Sequence, residues 1–190
     1  MSSQPKNLLT PEEYLAIERE AEFRHEYFCG EMFLMAGGTS EHNIISRNID
    51  IQLYQQRPGC IAYRSDMRML VDANELYTYP DVVLVCDKPQ FLDKRRDTLL
   101  NPMAIAEILS CSTASYDRTV KLDYYRSIKS LQQYLPVAQD RMHLDLYTRT
   151  ENGWMLTSAD GPEASIEFAG CRLKLSEVYE NVDLSPQASA

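Results

Sequence analysis

Three residues of this sequence place charge where charge is costly. Asp81 follows Tyr79-Pro80 and opens the apolar run Val82-Val83-Leu84-Val85. Glu107 lies inside Ala104-Ile105-Ala106-Glu107-Ile108-Leu109. Lys121 closes the segment Tyr116-Asp117-Arg118-Thr119-Val120-Lys121. A carboxylate buried without compensation costs several kcal/mol. Something must therefore offset Asp81 and Glu107, and a divalent cation shared by the two is the sharpest candidate. Mg²⁺ takes one or two carboxylates together with waters and phosphate oxygens. Such an ion lowers the pKa of bound water and stabilises the charge of a phosphoryl transition state. A lysine alongside would orient the water or offset charge growing on the phosphate. Each residue also has a plainer reading. Asp81 after Pro80 suits a strand-entry turn, and Lys121 suits a solvated helix face with Asp117 at i,i+4, a pair worth about 0.3–0.5 kcal/mol. The order acid, acid, lysine is what lifts the three above those readings.

Two further residues stand close to this chemistry. Glu26 could be an added metal ligand or a water anchor. His42 could touch a phosphate or a base, or could simply occupy the first turn of its helix. Asp66, between Arg64 and Arg68, reads by default as half of a cross-strand salt bridge. Tyr124 and Tyr125 read as core or rim aromatics. Ser110, Ser112 and Thr113 most simply cap the helix that follows them. No nucleophile elbow, phosphate-cradling glycine loop or zinc spacing is present.

The elements that must position these residues follow from pattern. Thr10-Pro11-Glu12-Glu13 is a capping signature, so a helix is expected to about Glu20. Arg24 to Met35 predicts two short strands around a turn at Cys29-Gly30. Ser40 to Gln56 predicts the longest helix, with Ile45, Ile49, Gln52 and Leu53 on one stripe and Ile44 and Ile51 widening it. Cys60 to Val71 alternates as one strand with an apolar face. Tyr79 to Cys86 and Met103 to Ser110 predict two more strands, separated by a charged loop with a helical turn near Phe91. Ser112 to Ile128 predicts a helix, Gln133 to Ala138 a fourth strand, and Met142 to Arg149 a fifth. Asn152-Gly153 is a hairpin turn into Trp154 to Ser158. A strand near Ser165 and a short helix at Leu175 to Tyr179 close the chain. If the strands at Tyr79 and Met103 pair antiparallel, the start of one lies beside the end of the other, and Asp81 meets Glu107. Whether both acids share a face depends on register, which the sequence leaves open.

The totals bound the possibilities. At 190 residues and 44% apolar content, one domain with a sizeable core is expected over 1–190, with a disordered tail from about Ser185. No apolar run approaches the roughly 18 residues of a membrane span. The N-terminus lacks a secretory h-region, so a cytoplasmic location is expected. The five cysteines are scattered without a Cys-x-x-Cys pair, and read as free thiols. The net charge of −9 argues against a broadly basic nucleic-acid surface, though not against a metal-loaded acidic cleft.

Several stretches together resemble a known family. They are Tyr-Pro-Asp-Val-Val at 79–83, Ala-Glu-Ile-Leu-Ser-Cys-Ser-Thr at 106–113 and Tyr-Asp-Arg-Thr-Val-Lys at 116–121. Arg24-His25-Glu26-Tyr27, Gly30-Glu31, Ser40-Glu41-His42 and Ser65-Asp66-Met67-Arg68 join them. The set resembles the Uma-type restriction endonuclease family, which looks like a branch of the PD-(D/E)XK nuclease superfamily, over roughly Leu9 to Val182. The resemblance implies an α/β (mixed α+β) fold, a restriction-endonuclease-like core with a mixed central sheet flanked by helices, to which the Asn152-Gly153 turn adds an antiparallel hairpin near the C-terminus. It also implies Mg²⁺- or Mn²⁺-dependent hydrolysis of DNA phosphodiesters by homodimers. Carried onto this chain, Asp81 and Glu107 would be metal ligands and catalytic, with Lys121, Glu26 and His42 completing the catalytic set. The superfamily's lysine position, two after the second acid, is Leu109 here, and Lys121 on the next helix matches the relocated lysine. Cys111 stands where proline is usual, and Pro136 inside the fourth strand suggests an edge, a bulge or a local break. The rival reading is a catalytically inactive nuclease fold that binds nucleic acid or protein. A hydrolase for small phosphate esters is a third.

Overall fold

The computed structural model describes residues 8–109 and 120–185. Helix α1 (Pro11–Glu18) begins as its capping signature dictates. Thr10 Oγ1 accepts from the Glu13 amide at 3.2 Å, and the Glu13 carboxylate accepts from the Thr10 amide at 2.8 Å. Strands β1 (His25–Phe28) and β2 (Glu31–Leu34) form an antiparallel pair around Cys29 and Gly30, both at positive φ. Gly30 is needed twice over, since a Cβ there would sit 2.7 Å from the Leu8 Cβ.

Helix α2 (Ser40–Gln56) has the predicted span, with Thr39 as its cap. Ile45, Ile49, Gln52 and Leu53 are buried as expected. Ile51 is instead 44% exposed. Ser46 and Asn48 take the second flank of the buried stripe, because that flank faces the polar backbone of the C-terminal segment: Asn48 Nδ2 donates to the carbonyls of Val178 and Glu180 at 3.0 Å each.

The expected single strand from Cys60 to Val71 is two strands. β3 (Ile61–Arg64) and β4 (Arg68–Val71) belong to different sheets, divided by a tight turn closed by Met67 N donating to Arg64 O at 2.8 Å. Alternation survives the break, so periodicity alone could not reveal it. A 3₁₀ turn at Asp72–Asn74 leads to β5 (Leu76–Thr78), and β6 (Val82–Val85) returns to the sheet of β3. In the charged loop the expected helical turn near Phe91 is replaced by a bridge from Phe91 to Leu99 in the short strand β7 (Thr98–Leu99). Then follow β8 (Ala104–Leu109), α3 (Leu122–Arg126), β9 (Gln133–Ala138) and β10 (His143–Thr150). β11 (Gly153–Asp160), β12 (Ser165–Phe168), β13 (Cys171–Lys174) and α4 (Leu175–Val178) complete the order. The predicted caps at Ser110, Ser112 and Thr113, the start of the helix before α3, and Cys111 lie outside the described residues, as does the tail after Ser185.

Six strands form the main sheet in the order β11-β10-β9-β8-β6-β3. It is mixed, because β8 and β9 pair parallel while its other neighbours pair antiparallel. A five-stranded sheet, β2-β1-β5-β4-β7, packs beside it, and β12 with β13 makes the C-terminal hairpin. Pleating divides the core. Val82, Leu84, Ala104, Ala106 and Ile108 face Ile45, Ile49 and Leu53 of α2. Val83, Val85 and Ile105 face the other way, toward Met69, Leu76, Leu122 and Tyr125. Pro136 sits in an interior strand and not at an edge. Its missing amide shows in the β9–β10 ladder, which pairs Leu144 with Val137 and Tyr147 with Tyr134 but skips Leu135 and Pro136.

One expectation about the cysteines is overturned. Cys60 and Cys86 are joined by a disulfide, S–S 2.05 Å, just beyond the pair Ile61↔Val85 that ends the β3–β6 ladder. Pairing of the strands brings together two residues that are 26 apart in sequence, a relation no local spacing reveals. Cys29 and Cys171 are free.

Candidate active site

Asp81 precedes β6, whose first residue pairs as Val82↔Ala106 with β8. One step further along that antiparallel register sets Asp81 opposite Glu107, on the face of the sheet shared by Val83 and Ile105. The register therefore answers the question the sequence left open. Each acid is pinned by the other's strand: Asp81 N donates to Glu107 Oε2 at 3.3 Å, and Ile108 N donates to Asp81 Oδ2 at 2.8 Å.

The other three predicted residues converge on this pair. Lys121 Nζ lies 3.2 Å from Glu107 Oε1 and 3.2 Å from Glu26 Oε1. His42 Nε2, from the first turn of α2, lies 3.1 Å from Asp81 Oδ2. The Thr78 hydroxyl, at the end of β5, donates to Glu26 Oε1. Asp81, Glu107 and Lys121 are all more than nine-tenths buried. One ammonium thus bridges two carboxylates from separate sheets. At an effective dielectric near 20 each such contact is worth ~4 kcal/mol, against a desolvation cost of several kcal/mol per ion.

Tyr125 was legible only as a core or rim aromatic. Its hydroxyl donates to Glu107 Oε1 at 2.7 Å. Burial, and then the charge of Glu107, push its phenol well above the usual range, so it remains a donor. A signal did exist: Tyr125 is four residues after Lys121, hence on the same helical face.

Glu26, His42, Asp81, Glu107 and Lys121 line a cleft of ≈ 1000 Å³. Glu18, Arg68, Tyr79 and Asp97 of the same lining form a second network, which the sequence did not reveal. Arg68, which alternation sets on the face opposite the apolar one, is 3% exposed. It donates to Thr98 Oγ1 at 2.9 Å and to the Tyr79 hydroxyl at 3.1 Å, and lies 3.1 Å from Asp97 Oδ2. Tyr79 in turn donates to Glu18 Oε1 at 2.8 Å. Burial raises the Tyr79 phenol to about 12 despite the opposing pull of Arg68. Asp66 pairs with Arg24 and not with Arg64 or Arg68.

Arg19 donates to Asp97 at 2.8 Å and to Asp93 at 2.7 Å. The bond from Arg19 lowers the Asp97 carboxyl to about 2. A carboxyl depressed in the folded state adds stability above its unfolded value of 3.8 and loses it as pH falls through about 2. Asp97→Asn is therefore expected to cost ~1 kcal/mol above pH 5, after discounting for solvent screening. The deficit should shrink as pH falls from 4 toward 2. Urea unfolding of both proteins across that range checks it.

As a cation site the donors are of the right kind. Both acids offer hard oxygen, and the contacts of Asp81 fall on Oδ2 alone. Among the described residues no group of three or more His, Cys, Asp or Glu is arranged around one point. An ion held here would have to accept two carboxylates and draw its remaining ligands from water and substrate. No helix among the described residues is long and apolar enough to cross a membrane.

Residues 11–176 match a family model described as "Uma2: Putative restriction endonuclease". The chain is 36% identical over 166 residues to the uncharacterized protein sll1609 of Synechocystis sp., covering 85% of this chain and 93% of that one. It is 34% identical over 184 residues to a second, slr1290, covering 95% and 96%. Its fold is similar to the crystal structure of "a putative nuclease belonging to DUF820" from Anabaena variabilis, with a TM-score of 0.73 over 90% of this chain and 97% of that one. At 16% identity that likeness speaks for the fold alone.

Proposed function

Because this chain belongs to the Uma2 family, described as "Putative restriction endonuclease", we propose that it is a metal-dependent endonuclease hydrolysing DNA phosphodiesters at Asp81, Glu107 and Lys121. The observation that carries the proposal is the convergence of two acids and a lysine from β6, β8 and the start of α3, buried at the wall of an open cleft. Asp81 and Glu107 would hold Mg²⁺ or Mn²⁺. When bound, the cation supplies Lewis acidity and positive charge to the phosphoryl transition state.

The chain's own residues divide the remaining work. Lys121 orients the attacking water and offsets charge on the phosphate oxygens. Glu26 helps to hold Lys121 through a second 3.2 Å contact with its ammonium. Tyr125 fixes the Glu107 carboxylate through its 2.7 Å bond. His42 fixes the Asp81 carboxylate, leaving a ring that faces the cleft where phosphate would enter.

The test is cleavage of supercoiled, linear and single-stranded DNA in Mg²⁺ or Mn²⁺. The Asp81→Ala variant is expected to cut at least ~100-fold more slowly. Failure to cut any DNA form, or equal cutting by Asp81→Ala, defeats the proposal. A non-catalytic nuclease fold is favoured by the net charge of −9. It predicts no Mg²⁺ heat that Glu107→Ala abolishes in calorimetry.

A further inference from the structure

A second, smaller pocket of ≈ 270 Å³ opens beside the acids, lined by Glu26, Phe28, Phe33, Leu76 and Tyr124. Its construction follows from the β1–β2 hairpin. Glu26 and Phe33 are directly paired across the two strands, so the Phe33 ring flanks the Glu26 carboxylate. Phe28, two residues along the same face, meets Tyr124 with ring centroids 5.0 Å apart and planes tilted by 37°. Leu76, fully buried, makes the floor. Phe33 itself is 48% exposed, an aromatic ring left in water at the rim of a polar cleft.

Two features say what this pocket would hold. The first is continuity, since Glu26 and Phe33 line both the pocket and the main cleft. From Glu26, Lys121 bridges directly to Glu107 through two 3.2 Å contacts. A group in the pocket would therefore sit within one nucleotide of a phosphate at the acids. The second is charge. Among the described residues the arginines and the lysine of the cleft are already paired: Lys121 with Glu107 and Glu26, Arg19 with Asp93 and Asp97, Arg68 with Asp97, Arg24 with Asp66. A net charge of −9 argues against the broadly basic surface that duplex binders use to neutralise phosphates. Flat aromatic faces are the alternative grip, and they serve unpaired bases.

We propose that this pocket binds one unpaired nucleobase of the substrate, stacked against Phe33 and the Phe28–Tyr124 pair. The contacts of Glu26 fall on Oε1, which leaves Oε2 to accept from an exocyclic amino group. A base within a duplex cannot present its face to these rings, so the nucleotide must be single-stranded or extruded. This inference rests on the nuclease reading for the identity of the ligand, but its test does not require cleavage.

The probe is a short oligothymidine carrying one 2-aminopurine, titrated with the protein in Ca²⁺. Quenching of the 2-aminopurine on binding is expected, with the same base in a blunt duplex bound at least ~10-fold more weakly. Phe33→Ala should weaken single-strand binding roughly ten- to hundred-fold, and Phe33→Trp should retain it. Because Phe33 is exposed, its thermal unfolding should match that of the wild type, which separates lost stacking from lost fold. Absence of quenching, or equal binding by Phe33→Ala, overturns the pocket. So does a Phe33→Ala variant that changes only the sedimentation of the protein, which would make the ring a self-association contact. Quenching without cleavage in Mg²⁺ would sink the nuclease reading and keep the base site. Cleavage that ignores Phe33→Ala, without quenching, would do the reverse.

Discussion

Glu107→Gln is expected to reduce DNA cleavage in Mg²⁺ about a thousandfold while leaving the protein folded. The substitution keeps the volume of the side chain in a strand where every residue from Ala104 to Leu109 is buried. The amide oxygen still accepts from the Tyr125 hydroxyl and from Lys121, so the local bonds at Oε1 survive. What disappears is one full negative charge facing the lysine and the proposed cation, together with the acceptor at Oε2 for the long 3.3 Å bond from the Asp81 amide. Losing an electrostatic contribution of roughly 4 kcal/mol to the transition state corresponds to that factor. Single-turnover cleavage measures the rate, and calorimetry measures the lost Mg²⁺ heat. A Gln variant that cuts at the wild-type rate would remove Glu107 from the chemistry altogether.

Lys121→Met carries the largest expected cost in stability. The methionine fills most of the space, but Glu26 and Glu107 would then face each other without the ammonium that now lies 3.2 Å from both. Removing one partner of a buried ion pair typically costs about 3–5 kcal/mol. Urea unfolding in the presence of a chelator should show a loss of that size. Mg²⁺ should then stabilise the variant more than the wild type, because the ion replaces a charge the variant lacks. Equal Mg²⁺ increments in the two proteins would mean that the cation does not sit beside Glu107.

Much of the site could be read before the structure because its residues break a local rule. Glu107 interrupts an apolar strand, and Asp81 opens one; both departures are visible in a single sequence. The long helix α2 and the hairpin at Asn152-Gly153 were legible for the opposite reason, since local propensity and global fold agree there. What stayed hidden is what depends on pairing between distant segments. The turn at Ser65–Met67 changes sheets without disturbing alternation, so nothing in the pattern marked Arg68 as the hub of a buried network. Asp97, in a loop crowded with charge, gave no sign that Arg19 holds it from 78 positions away. The Cys60–Cys86 bond likewise exists only through the β3–β6 register.

Glu26 and Glu107 share a single ammonium, that of Lys121, at the wall of the cleft, and the third carboxylate, Asp81, meets the His42 ring. A DNA phosphate approaching that wall without a divalent ion meets surplus negative charge, and an ion arriving without DNA must complete its shell with water. If the site holds a cation and DNA as proposed, each ligand would improve the reception of the other, and thermodynamic reciprocity would make the two gains equal in equilibrium affinity. At low divalent concentration such a protein would hold neither, so availability of the ion would govern whether DNA is engaged as well as whether it is cut.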